Sequence, residues 1–102
     1  MLAWDILKDT ADAVIAVSDD QAVAMMRQLA APETPDRPIV AGESAVAGLA
    51  GLLLVANDPG TRSDLKLGLD ARVLVFGTES DTDPGLYKDL VGCSGAVVRT
   101  SV

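Results

Sequence analysis

The sequence has 102 residues, 49% of them hydrophobic, with 8 Lys+Arg against 15 Asp+Glu and a formal net charge of −7. A chain of that length makes one domain at most, so residues 1–102 are expected to form a single partial domain with one small core. The negative field repels polyanions, which excludes nucleic acid and anionic membrane as natural partners.

With no histidine and a single cysteine, Cys93, the chain has no serine–histidine or cysteine–histidine catalytic pair, no imidazole or thiolate metal cluster and no intrachain disulfide. No secretory n-region or h-region opens the sequence, and the longest apolar stretch, 45–56, is too short for a bilayer. A cytoplasmic, reducing location is the resulting expectation.

In chain order, residues 2–10 read as a helix, with Leu2, Ile6 and Leu7 near one face. Residues 13–17 form an unbroken apolar run of the kind that suits a strand covered on both sides. Ser18 and Gln21 then fit a capping box, with Asp19 and Asp20 complementing the positive helix end. A helix over 19–30 follows, its Ala22, Met25, Met26 and Leu29 repeating at helical spacing. After a loop with two prolines, 38–41 is a short strand. Gly42-Glu43-Ser44 turns the chain into a helix over 44–57, which Asp58-Pro59-Gly60 ends. One or two helical turns are expected within 63–69. Residues 72–76 read as a third strand, Gly77 to Asp83 as a loop, and Asp83-Pro84 as the cap and first residue of a helix over 84–91. Ala96-Val97-Val98 has the composition of an edge strand.

Strand, helix, strand, helix, strand, helix is the βαβ pattern, so the expected fold is α/β: a three-stranded parallel sheet with right-handed crossovers. Ligands in open α/β sheets sit outside the carboxyl edge of the strands, which directs attention to the loops beginning at Gly42 and Gly77. The second loop alternates Glu79, Asp81 and Asp83 like the start of a calcium loop. Pro84, however, occupies the required glycine position and Leu90 that of the bidentate glutamate, so the pattern departs from a calcium site. An acidic loop suits a protonated nitrogen better than a phosphate. Glu43 reads equally well as a helix-start residue and as a ligand contact. Lys8, Lys66 and Lys88 lie in polar contexts, unlike an amine activated by an apolar pocket.

The helix over 45–57 is apolar nearly all round, and Gly48 and Gly51 leave room for a close neighbour. Such a helix requires cover on every side. Leaving four large aliphatic side chains exposed forgoes roughly 1.5–3 kcal/mol each. Self-association of this chain through that helix, or docking onto a longer partner, follows as an expectation.

Two stretches carry a family resemblance. Gly77-Thr78-Glu79-Ser80-Asp81-Thr82-Asp83-Pro84 resembles the Ser-Thr-Glu-Gly-Asp-Thr-Asp loop of diaminopropionate ammonia-lyases. Residues 38–49, Pro-Ile-Val-Ala-Gly-Glu-Ser-Ala-Val-Ala-Gly-Leu, resemble the segment preceding it, and Trp4 to Leu7, Ala11 to Ala13 and Ser18 to Ala22 follow the same order. The likeness covers roughly residues 2–91 and extends to the fold-type II, tryptophan-synthase-β-like enzymes, which carry pyridoxal phosphate.

The resemblance implies the C-terminal part of the large domain, which walls the pyridine side of the cofactor. It implies cofactor contacts at Gly42, Glu43, Ser44, Gly77, Thr78, Glu79 and Asp81, and no catalytic or metal-ligating residue in this chain. Family members are several times longer and carry the Schiff-base lysine and the glycine-rich phosphate loop upstream, so this chain is not expected to bind pyridoxal phosphate or catalyse alone. The family reaction is α,β-elimination of an amino acid such as 2,3-diaminopropionate to pyruvate and ammonia, the cofactor acting as electron sink. A full-length lyase subunit is the partner this implies, with a non-enzymatic, self-associating interaction module as the rival reading. Where the family places a serine or threonine hydroxyl against the pyridine nitrogen, this chain has Gly77. Where the family loop has glycine, it has Ser80.

Overall fold

The computed structural model describes residues 2–101. It contains six helices: α1 (Leu2–Thr10), α2 (Asp19–Ala30), α3 (Ala47–Ala56), α4 (Pro59–Asp64), α5 (Pro84–Val91) and α6 (Gly95–Thr100). Helix α2 lies against both α3 and α5, α4 folds back on α3, and α6 on α5.

The expected α/β architecture is overturned: among the described residues there is no strand and no sheet. Runs 13–17 and 72–76 make no backbone hydrogen bond to each other or to any other described segment. The third run, 38–41, contributes the Ile39 N–H, which donates to the Leu29 carbonyl at 2.7 Å and so ties the run to the end of a helix. Apolar periodicity reports which environment suits a side chain, whereas a strand also needs a second backbone at ladder distance. Among the described residues, runs 13–17 and 72–76 have no such backbone hydrogen-bonded to them. The tail differs as well: 96–98 lies in α6, where the Ser94 hydroxyl accepts from the Val97 N–H at 3.2 Å. The helical turns expected at 63–69 begin earlier, at Pro59, and end at Asp64.

Local signals account for the starts of α2 and α5, whereas α3 begins at Ala47, later than the expected residue 44, with no side-chain cap. Ser18 and Gln21 form both halves of the capping box, the Gln21 N–H reaching the Ser18 hydroxyl at 3.2 Å and the Ser18 N–H reaching Gln21 Oε1 at 2.9 Å. Asp83 caps α5 by accepting from the Leu86 N–H at 3.0 Å, with Pro84 in the first turn. Gly92 ends α5 at φ 99°, a left-handed conformation that a Cβ disfavours.

The core gathers where α2, α3, α5 and α6 meet. Met26, Val46 and Tyr87 are its largest fully enclosed side chains, joined by Met25, Ala50 and Val98. Arg27 of α2 donates from Nε to the Leu90 carbonyl at 2.7 Å, fastening α2 to the last turn of α5. Helix α1 contributes nothing to this core, since none of its residues is buried.

Helix α3 is covered on some sides only. Ala50, Gly51 and Val55 are buried, while Leu53 and Leu54 reach the surface. Its glycines face the two irregular runs. A Cβ on Gly51 would lie 3.7 Å from Val17 Cγ2 and 3.8 Å from Ile15 Cγ2, and one on Gly48 would lie 3.6 Å from Val75 Cγ1. These are ordinary contact distances, so the approach does not itself demand glycine. Gly51→Ala is therefore expected to stabilise the chain by about 0.5–1 kcal/mol through helix propensity. Urea unfolding followed by circular dichroism measures this, and a loss of stability would show that the neighbours sit closer than described.

Candidate functional site

Two loops meet at the amino end of α5. The Gly42 N–H donates to the Glu79 carbonyl at 3.1 Å, and the Ser44 N–H donates to Glu79 Oε1 at 3.3 Å. The Thr82 hydroxyl donates to Glu79 Oε2 at 3.2 Å. Glu79 is thus held by its own backbone and by both carboxylate oxygens, across 35 residues of sequence. Gly42 is buried beneath it. A Cβ there would come within 2.6 Å of the Ser80 carbonyl oxygen and would also collide with the Glu79 carboxylate. The glycine is required for close approach of two backbones, not for an unusual φ.

The junction encloses a cleft of about 120 Å³ bordered by Glu43, Glu79, Asp81 and Asp83, with Met26 and Tyr87 beneath. Of the seven residues expected to form a site, Gly42, Glu43, Glu79 and Asp81 border this cleft, and Ser44 joins it through its N–H. Gly77 and Thr78 are exposed and outside its lining. A Cβ on Gly77 would meet Ala45 at 3.8 Å, so a larger side chain is sterically admissible there.

Asp81 is the most constrained acid. Arg99 of α6 grips it with two bonds, Nη2 to Oδ1 at 2.5 Å and Nη1 to Oδ2 at 3.3 Å. This bidentate bond is the main reason the Asp81 carboxyl lies below its ordinary value of 3.8, against the opposing effect of desolvation. The Tyr87 phenol is pushed the other way, above 10.0, first by burial and then by the nearby Cys93 and Asp81. Its hydroxyl is enclosed without a hydrogen-bond partner among the described residues. Sequence reading missed both groups. Tyr87 falls inside the helix over 84–91 with no local signal to mark it, and Arg99 lies 18 residues from its partner, beyond any local periodicity.

The cleft does not fit a whole pyridoxal phosphate. Ligand pockets usually enclose about 300–1,000 Å³, and no lysine or arginine borders this one to receive a phosphate. None of Lys8, Lys66 and Lys88 reaches it: Lys8 lies 3.9 Å from Asp5 on exposed α1, Lys66 occupies a turn at φ 58°, and Lys88 is exposed on α5. Among the described residues no cluster of three or more metal-binding side chains occurs, and no helix is long and apolar enough to cross a membrane.

The diaminopropionate ammonia-lyase of Escherichia coli strain K12 is 40% identical to this chain over 93 residues, covering 88% of the chain and 23% of the enzyme. That of Salmonella typhimurium strain LT2 is 34% identical over 95 residues, covering 89% and 24%. The chain is thus similar to part of the diaminopropionate ammonia-lyases. It spans about a quarter of the length of these lyases. The match leaves about a dozen residues of the chain outside it, so both loops fall within the matched span wherever that span begins. No family model and no solved structure matches.

Two outcomes test the site's construction. Gly42→Ala should force the loops apart and cost about 1–3 kcal/mol, as overpacking does, read as a lowered urea midpoint. Asp81 has a depressed folded pKa, so its contribution to stability is present above pH 3.8 and is lost as pH falls through the lower folded value. Asp81→Asn should remove that acid limb from a stability–pH curve and fray α6. An unchanged limb would mean that the Arg99 pair carries no linkage.

Proposed function

We propose that this chain supplies the part of a diaminopropionate ammonia-lyase fold that closes one side of the cofactor site, and that it has no lyase activity alone. The observation carrying this reading is the junction of the Gly42 and Glu79 loops, the two stretches whose sequences follow the lyases. The acidic cleft between them has the right sign for a protonated ring nitrogen or ammonium group and the wrong sign for a phosphate. The work assigned to this chain is positioning. Glu79 locks two loops together, and Asp83 starts α5 beneath them. The residues here fit neither the phosphate nor an aldimine-forming lysine, so those parts fall to other polypeptide. Gly77 takes the place of the hydroxyl that the resemblance implies at the ring nitrogen, so a site completed by this chain has a weakened contact there.

The test has two arms. The 102-residue chain mixed with pyridoxal phosphate should show no aldimine absorbance band, trap no adduct with borohydride, and release no pyruvate from 2,3-diaminopropionate. A chimera of the Escherichia coli enzyme, with its matched segment replaced by this chain, should fold and form pyruvate, and Gly77→Ser in that chimera should raise the rate by about tenfold, the worth of one good hydrogen bond. A chimera that folds but is inactive with either residue at 77 defeats the reading. So does a borohydride-trapped adduct on one lysine of the isolated chain.

A further inference from the structure

The acidic cleft between the two loops holds a group that the lyase reading leaves idle. Tyr87 forms part of its lining, is 2% exposed, and has an enclosed hydroxyl with no hydrogen-bond partner among the described residues. A buried hydroxyl left unpaired is costly, so one bordering a cleft calls for a group that the cleft receives. The phenol lies toward Asp81: burial, then Cys93, then that carboxylate push its pKa up. Glu43, Glu79, Asp81 and Asp83 border the same space, with no lysine or arginine among them. Of these four acids only Asp81 has a cationic partner, Arg99, among the described residues. The lining thus offers acceptors and negative charge, and a ligand must bring donors and positive charge. At about 120 Å³ the cleft admits a small group rather than a cofactor-sized molecule. A metal ion does not fit, because no three metal-binding side chains converge among the described residues. A pyridinium offers a single N–H, whereas a primary ammonium offers several and can reach separate acceptors together. Met26 and Leu86 supply apolar contact for its carbon stem.

We propose that this cleft binds a protonated primary amine on a short carbon chain, its N–H groups received by Glu43, Asp83 and the Tyr87 hydroxyl. The inference rests on the functional reading above for the sign of the cleft, and adds the ligand and a residue that reading does not use. The other acids have different work. Glu79 spends its carboxylate oxygens on the Ser44 N–H and the Thr82 hydroxyl, so it contributes potential more than a free acceptor. Asp81 is held by Arg99. Asp83 commits Oδ1 to the Leu86 N–H and keeps Oδ2 for a ligand. All of these groups belong to this chain, so the isolated chain binds the amine without the rest of a lyase.

The probe is propylammonium chloride, titrated into the 102-residue chain at about pH 7, where an alkylamine is protonated, with sodium chloride holding the ionic strength constant. Tyr87 is the only tyrosine in the sequence, so tyrosine difference absorbance reports on the site directly. That signal and the NMR amide shifts of Gly42, Ser44 and Thr82 should saturate together, with a Kd of order millimolar for so small a ligand. Tetramethylammonium, which carries the charge without an N–H, should bind about tenfold more weakly. Glu43→Gln and Tyr87→Phe, the latter read by amide shifts, should each weaken propylammonium about tenfold, as loss of a hydrogen bond to a charged group does. Asp70→Asn, exposed and outside the lining, should leave binding unchanged. Circular dichroism checks that each variant keeps its helices, and if one unfolds the shift map of the unaltered chain with the two cations decides. The proposal is overturned if the signals rise without saturating, if the two cations bind alike, or if the shifted amides lie outside the two loops. Folded Glu43→Gln and Tyr87→Phe variants that bind as before overturn it too. So does an equal loss in Asp70→Asn, which would show attraction to net charge alone. An active chimera with no amine binding by the isolated chain defeats this site alone, and amine binding with an inactive chimera defeats the lyase reading alone.

Discussion

Glu79 reaches the loop at Gly42 by two routes, its carbonyl accepting from the Gly42 N–H and one carboxylate oxygen from the Ser44 N–H, while the other carboxylate oxygen accepts from Thr82 in its own loop. This is possible because residue 42 has no side chain, since the Ser80 carbonyl stands 2.6 Å from where a Cβ would be. The remaining order follows outward from that contact. With the second loop held, Asp83 is placed to cap α5, and α5 carries Tyr87 into the core against Met26 and Val46. Asp81 on the same loop then catches Arg99, which anchors the terminal helix. A backbone approach between residues some 35 positions apart thus organises a region whose helices are each too short to persist in isolation.

The electrostatics of that junction favour holding geometry over moving protons. Catalytic acid–base groups need a proton to move at working pH, which calls for a pKa brought toward neutrality. The one carboxyl here with a marked shift, Asp81, is displaced the other way, held ionised by a guanidinium. Glu79 spends its oxygens on an N–H and a hydroxyl. Such groups hold geometry and present negative potential, and neither task requires proton transfer.

What was legible in the sequence divides along the range of the forces involved. Ser18 with Gln21 and Asp83 with Pro84 act within a few residues, and their pattern can be read from spacing alone. The two loops were also found, because a glycine after an apolar run marks a turn. Three strands were misread because their apolar runs specify the side-chain environment and say nothing of the backbone partner, which is absent from the described chain. Ala96–Val98 was misread despite a local signal: Ser94 precedes it as a helix cap, and the short apolar run masked it. The Asp81–Arg99 pair had no signal, since it depends on α6 folding back over α5.

The same runs make the surplus of apolar surface intelligible. A core built from α2, α3, α5 and α6 is satisfied by Met25, Met26, Val46, Ala50, Tyr87 and Val98. It leaves Val14, Leu74 and Phe76 on one side of α3 and Trp4 and Leu7 on α1 in water. Scattered exposed apolar residues are ordinary, but a contiguous apolar cleft flanked by free backbone groups is not. Glu43, Glu79, Asp81 and Asp83 border the junction of the two loops, and runs 13–17 and 72–76 contain no carboxylate. The carboxylates at the junction give a negative potential that attracts a cationic or protonated group and repels an anion. The two faces thus differ in chemistry, one acidic and polar and the other apolar.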